Sequence, residues 1–307
     1  MTYQDPTAFT PPAAFGPFRV LHQIGTGVLG PVFRTYEPAR DRLVAVKAFR
    51  LDITPEQSRR LADELQRLVD AALVHPSIVA PIAAGVEGTV AYLALEYVAA
   101  ESLDVALRHY APAPVEKVLP FIAQLAGAVD FARAAGFGHG ALHPRDIFVT
   151  PDEARATGVG VAQALERVGV RPPVRRPYTA PERIAGEPWG TPADVFSLAA
   201  VASELLTGRR PAGPDAAPEI DPAVPHARAI AAVIARALAL DPSARFATAL
   251  AFASALEAAA SGEGESAGRP LVAVPETPDV SPGGTAAPRG VAATATGAPA
   301  DVATRES

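Results

Sequence analysis

Gly25-Thr26-Gly27-Val28-Leu29-Gly30-Pro31-Val32 is the stretch on which the fold turns. It matches G-x-G-x-x-G-x-V, three glycines spaced so that backbone N–H groups approach phosphate oxygens with no Cβ in the way. Strand-like runs flank it at residues 18–24 and 31–36. The glycines therefore join strand to strand, whereas the dinucleotide-binding fingerprint joins strand to helix, so that reading loses. Taken alone the pattern is weak, because glycine-rich chains also make plain tight hairpins. Its context adds weight. Val44-Ala45-Val46-Lys47 follows on the next strand, residues 42–49, and sets Lys47 at a distance suited to a phosphate. An ordinary strand-edge lysine is the alternative.

Outward from there, Thr54 and Pro55 carry the chemistry of a helix cap and first turn. The helix is expected over residues 55–73, with Leu61, Leu65, Leu68 and Ala72 on one face. Strands are expected at 78–86 and 90–97. A helical stripe of Val118, Phe121, Ile122, Leu125 and Val129 runs to about Ala135 and stops at Gly136 and Gly138. Short strands are expected within 142–150, then helices at 193–207, 227–240 and 247–259. A strand-rich first third and a helix-rich remainder make an α+β chain of two lobes, 16–97 and 102–260, with a cleft suited to a ligand between them. Residues 1–15 read as a mobile leader. Residues 261–307 are rich in Pro, Gly, Ala and Thr and lack aromatics, so they bury too little apolar area to offset their ordering entropy and read as disordered.

Composition removes several function classes. A net charge of -6 argues against a general nucleic-acid binder, which needs a basic face. The absence of cysteine excludes disulfides, thiolate metal sites and a cysteine nucleophile. One Met and six His count against a soft-metal or multi-His centre. No uninterrupted apolar run is long enough to span a bilayer, and no basic, apolar signal sequence opens the chain, so the expected compartment is the cytoplasm.

The glycine loop and Lys47 resemble the small lobe of a bacterial serine/threonine protein kinase. Further landmarks agree in order. His75-Pro76-Ser77-Ile78-Val79 resembles the family's H-P-N-I-V. Tyr92-Leu93-Ala94-Leu95-Glu96-Tyr97-Val98 resembles its gatekeeper and hinge, and Ala180-Pro181-Glu182 is an intact A-P-E. Asp194-Val195-Phe196-Ser197-Leu198 resembles the start of its large buried helix, with Gly208 to Pro211 and Asp241 to Phe246 resembling two later landmarks. The resemblance spans residues 16–260 and implies a bilobal protein-kinase-like fold, with a β-rich N-lobe and an α-helical C-lobe. It also implies an ATP or ADP site. Ile24, Val32 and Ala45 would lie above the adenine and Phe148 below it, with the backbone of Glu96 and Val98 at its edge. Gly25, Gly27, Gly30 and Lys47 would hold the phosphates. Glu182 and Arg245 match a buried ion pair of the family. Asp194 is expected to hold the backbone of the catalytic loop, and His139 to fill the core beneath it.

The chemistry departs from the family. Its catalytic loop reads H-R-D-L-K-P-x-N, and here the register is His139-Gly140-Ala141-Leu142-His143-Pro144-Arg145-Asp146. Ala141 stands at the catalytic Asp position, and a methyl group accepts no proton. Gly140 replaces the arginine that reads activation-loop phosphate. His143 replaces the phosphate-contacting lysine, either as a partly charged group near neutral pH or as a capping side chain. Asp146 replaces the metal-binding Asn, either as a Mg²⁺ ligand or as a loop-bonding carboxylate. Gly158-Val159-Gly160 stands where D-F-G belongs, so that metal-binding Asp is lost. Arg175 takes the place of the threonine near the catalytic Asp. The helix partner of Lys47 falls on Gln66 by interval, with Glu64 as a substitute. Residues 209–225 are a Pro-rich loop where substrate docking usually has a helix.

A positioned base is worth about 10²- to 10⁴-fold, and a catalytic metal several kcal/mol. Losing both is expected to leave activity near background, although such losses do not add. The expectation is a pseudokinase that binds nucleotide, or serves as a scaffold, in signalling. The alternatives are a weakly active serine/threonine kinase using Asp146 and a nucleotide-independent scaffold. Expected partners are signalling proteins. An active kinase acting on Thr277, Thr285, Thr294, Thr296 or Thr304, read by a phosphothreonine-binding module, is one candidate, and a plain linker is the blander reading of that tail.

Overall fold

The computed structural model describes residues 10–262. The leader up to residue 9, the tail from residue 263 and its five threonines lie outside the described residues.

Strands β1 (Ala14–Phe15), β2 (Phe18–Gly27), β3 (Gly30–Glu37) and β4 (Arg42–Phe49) lead into helix α1 (Pro55–Asp70), then β5 (Pro81–Glu87) and β6 (Val90–Glu96). The strands form one antiparallel sheet in the order β1-β2-β3-β4-β6-β5. Period-two alternation decides which face each residue serves. Phe15, Phe18, Phe33, Val44, Val46, Ala48, Tyr92 and Ala94 bury one face together. The intervening residues of β4, Ala45 and Lys47, face the other way. Lys47 lies opposite both Val32 and Leu93, and Leu93 packs with Leu61, Leu65 and Leu68 of α1. Thr54 caps α1 through a reciprocal pair of bonds with Gln57, which satisfies two orphan backbone donors.

Four boundaries in the small lobe differ from expectation by two residues or more, and in the large lobe the helix expected over residues 227–240 ends at Ala237. Phe15, assigned to the leader, is fully buried in the strand that opens the sheet. The strand expected to end at residue 24 continues to Gly27, because Gly25, Thr26 and Gly27 pair with Val32, Pro31 and Gly30 and leave only two residues at the tip. Helix α1 stops at Asp70 rather than residue 73, since Ala72 turns left-handed at φ 47°. The strand expected from residue 78 begins at Pro81, whereas Ile78 makes a parallel bridge to Ala156 in the large lobe.

The large lobe continues with β7 (Glu101–Ser102), α2 (Leu103–Tyr110), α3 (Val115–Ala134), β8 (Ile147–Val149), β9 (Ala154–Ala156), α4 (Val161–Arg167), α5 (Pro181–Ala185), α6 (Thr191–Thr207), α7 (Ala227–Ala237) and α8 (Ala249–Ser261). Helix α6 is apolar on nearly every side and forms the centre of this core, as a helix without a polar face must. Asp130 of α3 accepts the first free N–H groups of α8, from Ala249 and Leu250, at 2.9 Å each, where a carboxylate also suits the positive helix end. Glu182 and Arg245 form a two-pronged pair at 2.8 and 2.9 Å with side chains 5% and 0% exposed. Arg245 directs its remaining donors to the carbonyls of Pro192, Ala239 and Leu240. Among the described residues no helix is long and apolar enough to cross a membrane.

Candidate functional site

The site lies where the cleft-facing side of the small-lobe sheet meets the loop before β8. The hairpin of β2 and β3 bends onto Lys47, whose Nζ donates to the carbonyl of Gly30 at 2.7 Å. A Cβ on Gly27 would sit 2.8 Å from that Nζ. Gly30, at φ 130°, has no room for a Cβ against the carbonyl of Ala48 and the N–H of Arg50. Glycine at position 30 is therefore a steric requirement, whereas a Cβ on Gly27 would meet only the movable end of the lysine side chain. Burial, opposed by Asp146 and assisted by Arg175, pulls the Lys47 ammonium down to about 8. Lys47, Asp146 and Arg175 thus share one electrostatic neighbourhood.

Neither expected helix partner reaches Lys47. The Glu64 carboxylate accepts from Arg67 and from Arg167 of α4, at 3.0 Å in each ion pair. Gln66 accepts from the N–H of Ala84 at 3.2 Å and donates to Asp70 at 2.8 Å. The cause is α4, which was not foreseen from the sequence. Its Ala164 and Leu165, with Val168 beyond it, bury against Leu65 and Leu68 of α1. The side chain of Gln57 on α1 also donates to the Val168 carbonyl at 3.2 Å. Val161, Ala164, Leu165 and Val168 hold the i, i+3, i+4, i+7 spacing that signals such a helix.

The catalytic-loop segment keeps its scaffold. Asp194, fully buried, accepts from the Gly140 N–H at 2.5 Å and from Arg133 at 2.9 Å. His139 lies buried beneath the loop, bonded at 3.0 Å to the carbonyl of Thr157, and burial holds its pKa below the usual histidine range. Ala141 is buried and offers no proton acceptor. His143 is the capping side chain of its two candidate roles. Its Nδ1 accepts from the Arg145 N–H at 3.0 Å, and its ring meets Tyr178 edge-on at 4.5 Å. Desolvation, helped by Arg175, lowers its pKa to about 4, so it is neutral at physiological pH and brings no charge for a phosphate.

Gly140 and Arg183 explain each other. A Cβ on Gly140 would run into the Arg183 guanidinium and lie 2.8 Å from the Trp189 ring. Arg183 stacks on Trp189 at 4.4 Å and bonds Glu166 of α4 at 2.7 Å, and Trp189 donates to the same carboxylate at 3.1 Å. A guanidinium from beyond the A-P-E sequence therefore fills the space beside Gly140, and it is paired with a permanent carboxylate.

Asp146 tests the metal reading. Its Oδ2 lies 2.7 Å from an Arg175 nitrogen, with an N–H direction too bent for a hydrogen bond, and 3.8 Å from the His139 ring. The Arg175 backbone is fixed by its bonds with Tyr178 and Thr179. Gly158, at φ 88°, brings no donor, and among the described residues no group of three or more His, Asp or Glu is arranged to hold a metal ion. The residues present do not fit the Mg²⁺ that such a fold ordinarily uses.

The residues expected around an adenine are laid out by register. Val32, Ala45 and Lys47 share the cleft-facing side, and Ile24 at the rim is 45% exposed. Glu96 donates its backbone N–H to the Ala80 carbonyl at 2.9 Å. Its side chain makes a two-pronged pair with Arg155 of β9 at 2.8 and 2.5 Å, a tether between the lobes that sequence reasoning missed. Val98 follows in the connection between lobes, and Phe148 lies on β8 opposite Ser102 and Arg155.

Comparisons with known proteins agree with this architecture. The protein kinase domain family matches residues 18–250. The chain is 30% identical over 255 residues to serine/threonine-protein kinase PknD of Mycobacterium tuberculosis, covering 76% of this chain and 38% of that protein. It is 30% identical over 214 residues to PknA of the same species, covering 66% and 49%. Among solved structures, the Mycobacterium tuberculosis PknI kinase domain matches with a TM-score of 0.66 and 26% identity, over 82% of this chain and all of that one. The chain thus spans less than half the length of the curated relatives it matches.

Proposed function

Given that this chain belongs to the protein kinase domain family and is related to bacterial serine/threonine kinases, we propose that it is a pseudokinase, a kinase fold that binds ATP or ADP as a signalling regulator rather than transferring phosphate. The observation that carries this reading is the catalytic loop. Ala141 offers no base, and the one remaining carboxylate, Asp146, faces Arg175 instead of an open metal position. Phosphoryl transfer relies on positioning plus charge stabilisation, with a base or water-orienting group and metal ions. This loop supplies neither, while the glycine hairpin and Lys47, the parts that would face phosphate, remain side by side.

The test pairs titration of ATP and ADP with a γ-phosphate transfer assay on the full chain. Nucleotide binding without transfer is the expected result. Transfer abolished by Lys47→Ala would instead identify a weakly active serine/threonine kinase. A second reading, a scaffold that uses no nucleotide, is favoured by the bond from Lys47 to Gly30, which turns the phosphate-facing lysine toward a partner inside the protein. No binding at millimolar nucleotide would establish it over the first. Either way the partners proposed are signalling proteins.

A further inference from the structure

Binding ATP takes compensation of its phosphate charge, and in most kinase folds divalent cations supply much of it. Here the position for that cation is compromised. The metal-binding Asp is Gly158, and the remaining candidate ligand, Asp146, has a guanidinium against it at 2.7 Å. The guanidinium is not used up by this contact. Its Nε is buried and has no acceptor, and its approach to Asp146 is poorly aligned. The same holds for the Nε of Arg34, Arg133, Arg155 and Arg183; what sets Arg175 apart is a permanent positive charge against Asp146 and within electrostatic reach of Lys47. The backbone that carries it is also held in place, because the Arg175 backbone N–H donates to Thr179 at 2.8 Å and its carbonyl accepts from Tyr178 and Thr179.

Resting on the nucleotide reading above, we propose that Arg175 stands in for the divalent cation, so that this protein binds nucleoside di- or triphosphate without metal. Lys47, Arg175 and Asp146 together sum to one positive charge. Without Arg175 they sum to zero, and without the Asp146 charge they sum to two. A metal-dependent site predicts the opposite sensitivity, since Asp146 would then be a ligand it needs.

The experiment is isothermal titration of ATP into the full chain, once in EDTA and once in excess Mg²⁺. The parent is expected to bind with the same affinity in both. Arg175→Ala is expected to weaken binding in EDTA by about 10- to 100-fold, the worth of a hydrogen bond to a charged group. Arg175→Lys should restore part of the loss. Asp146→Asn should bind in EDTA as tightly as the parent or more so, and this variant decides the matter if Arg175→Ala proves unfolded by circular dichroism. Binding that requires Mg²⁺, an Arg175→Ala protein that binds like the parent, or an Asp146→Asn protein that loses binding would each overturn the inference and leave nucleotide binding standing. No binding in either buffer would overturn both together.

Discussion

Two carboxylate–guanidinium pairs in this protein teach different lessons. Glu182 and Arg245 meet through two parallel bonds with at most 5% of either side chain exposed, and Arg245 finds a carbonyl for its other donors. Asp146 and Arg175 meet through one bent contact, with 19% and 26% of their side chains exposed and one guanidinium donor unpartnered. The first pair is closed: its chemistry is complete within the fold. The second is partly exposed and poorly aligned, and its hydrogen bonding is incomplete within the fold. Similar groups at similar distances thus make a complete pair in one place and an incomplete one in the other.

The comparison breaks most visibly if the closed pair proves dispensable. Glu182→Ala leaves a buried guanidinium uncompensated and should cost about 3–5 kcal/mol, or roughly 6–20 °C in melting temperature for a domain of this size. A scanning calorimetry trace unchanged from the parent would contradict the assignment.

Next in size is the response to pH. Affinity for ATP should be full below pH 8 and fall as pH rises through that value, by up to about tenfold per unit. Protonated Lys47 meets the phosphates best, and bound phosphate raises its pKa above the free value of about 8. Lys47→Ala should bind weakly and show a flatter profile between pH 7 and about 9.5. On the acid side, His139 and His143 are buried with depressed pKa values, the latter about 4. The unfolded chain takes up those protons first. The stability held by the neutral rings is therefore intact above the ordinary histidine value of 6.5 and is lost as pH falls toward about 4. His143→Gln should narrow that loss in melts recorded across the window.

The smallest expected effect sharpens the contrast from the other side. Asp146→Asn should change folding stability by less than about 1 kcal/mol, the range for partly exposed pairs. Urea titration of the parent and the variant would measure it.

Most of the fold was legible because the groups that decide it are local. Alternation in β4 placed Lys47 on the cleft side, the Thr54 cap opened α1, and the spacing from Glu182 to Arg245 matched a known pair. The departure read at Ala141 was local in the same way, since flanking His139, Leu142 and Pro144 set the register, and that at Gly158 was read from its place one strand later. What escaped was relational. The departure of Glu64 from Lys47 depends on α4, about 100 residues away, supplying Arg167. The role of Asp146 depends on which cation arrives from residue 175, and the Glu96–Arg155 tether joins segments with no pattern in common. Helix α4 itself carried a readable spacing, hidden because that region departs from the family's usual sequence.

The crowding at Gly140 bears on which substitutions this loop accepts. A side chain there would have to displace both Arg183 and Trp189, and the left-handed backbone at φ 76° disfavours every residue but glycine. An arginine at position 140 would meet a filled site, and removing Arg183 to make room would strand Glu166 and Trp189. Each of these side chains is a condition for the others, so a substitution at position 140, 166, 183 or 189 is in effect a change to all four at once.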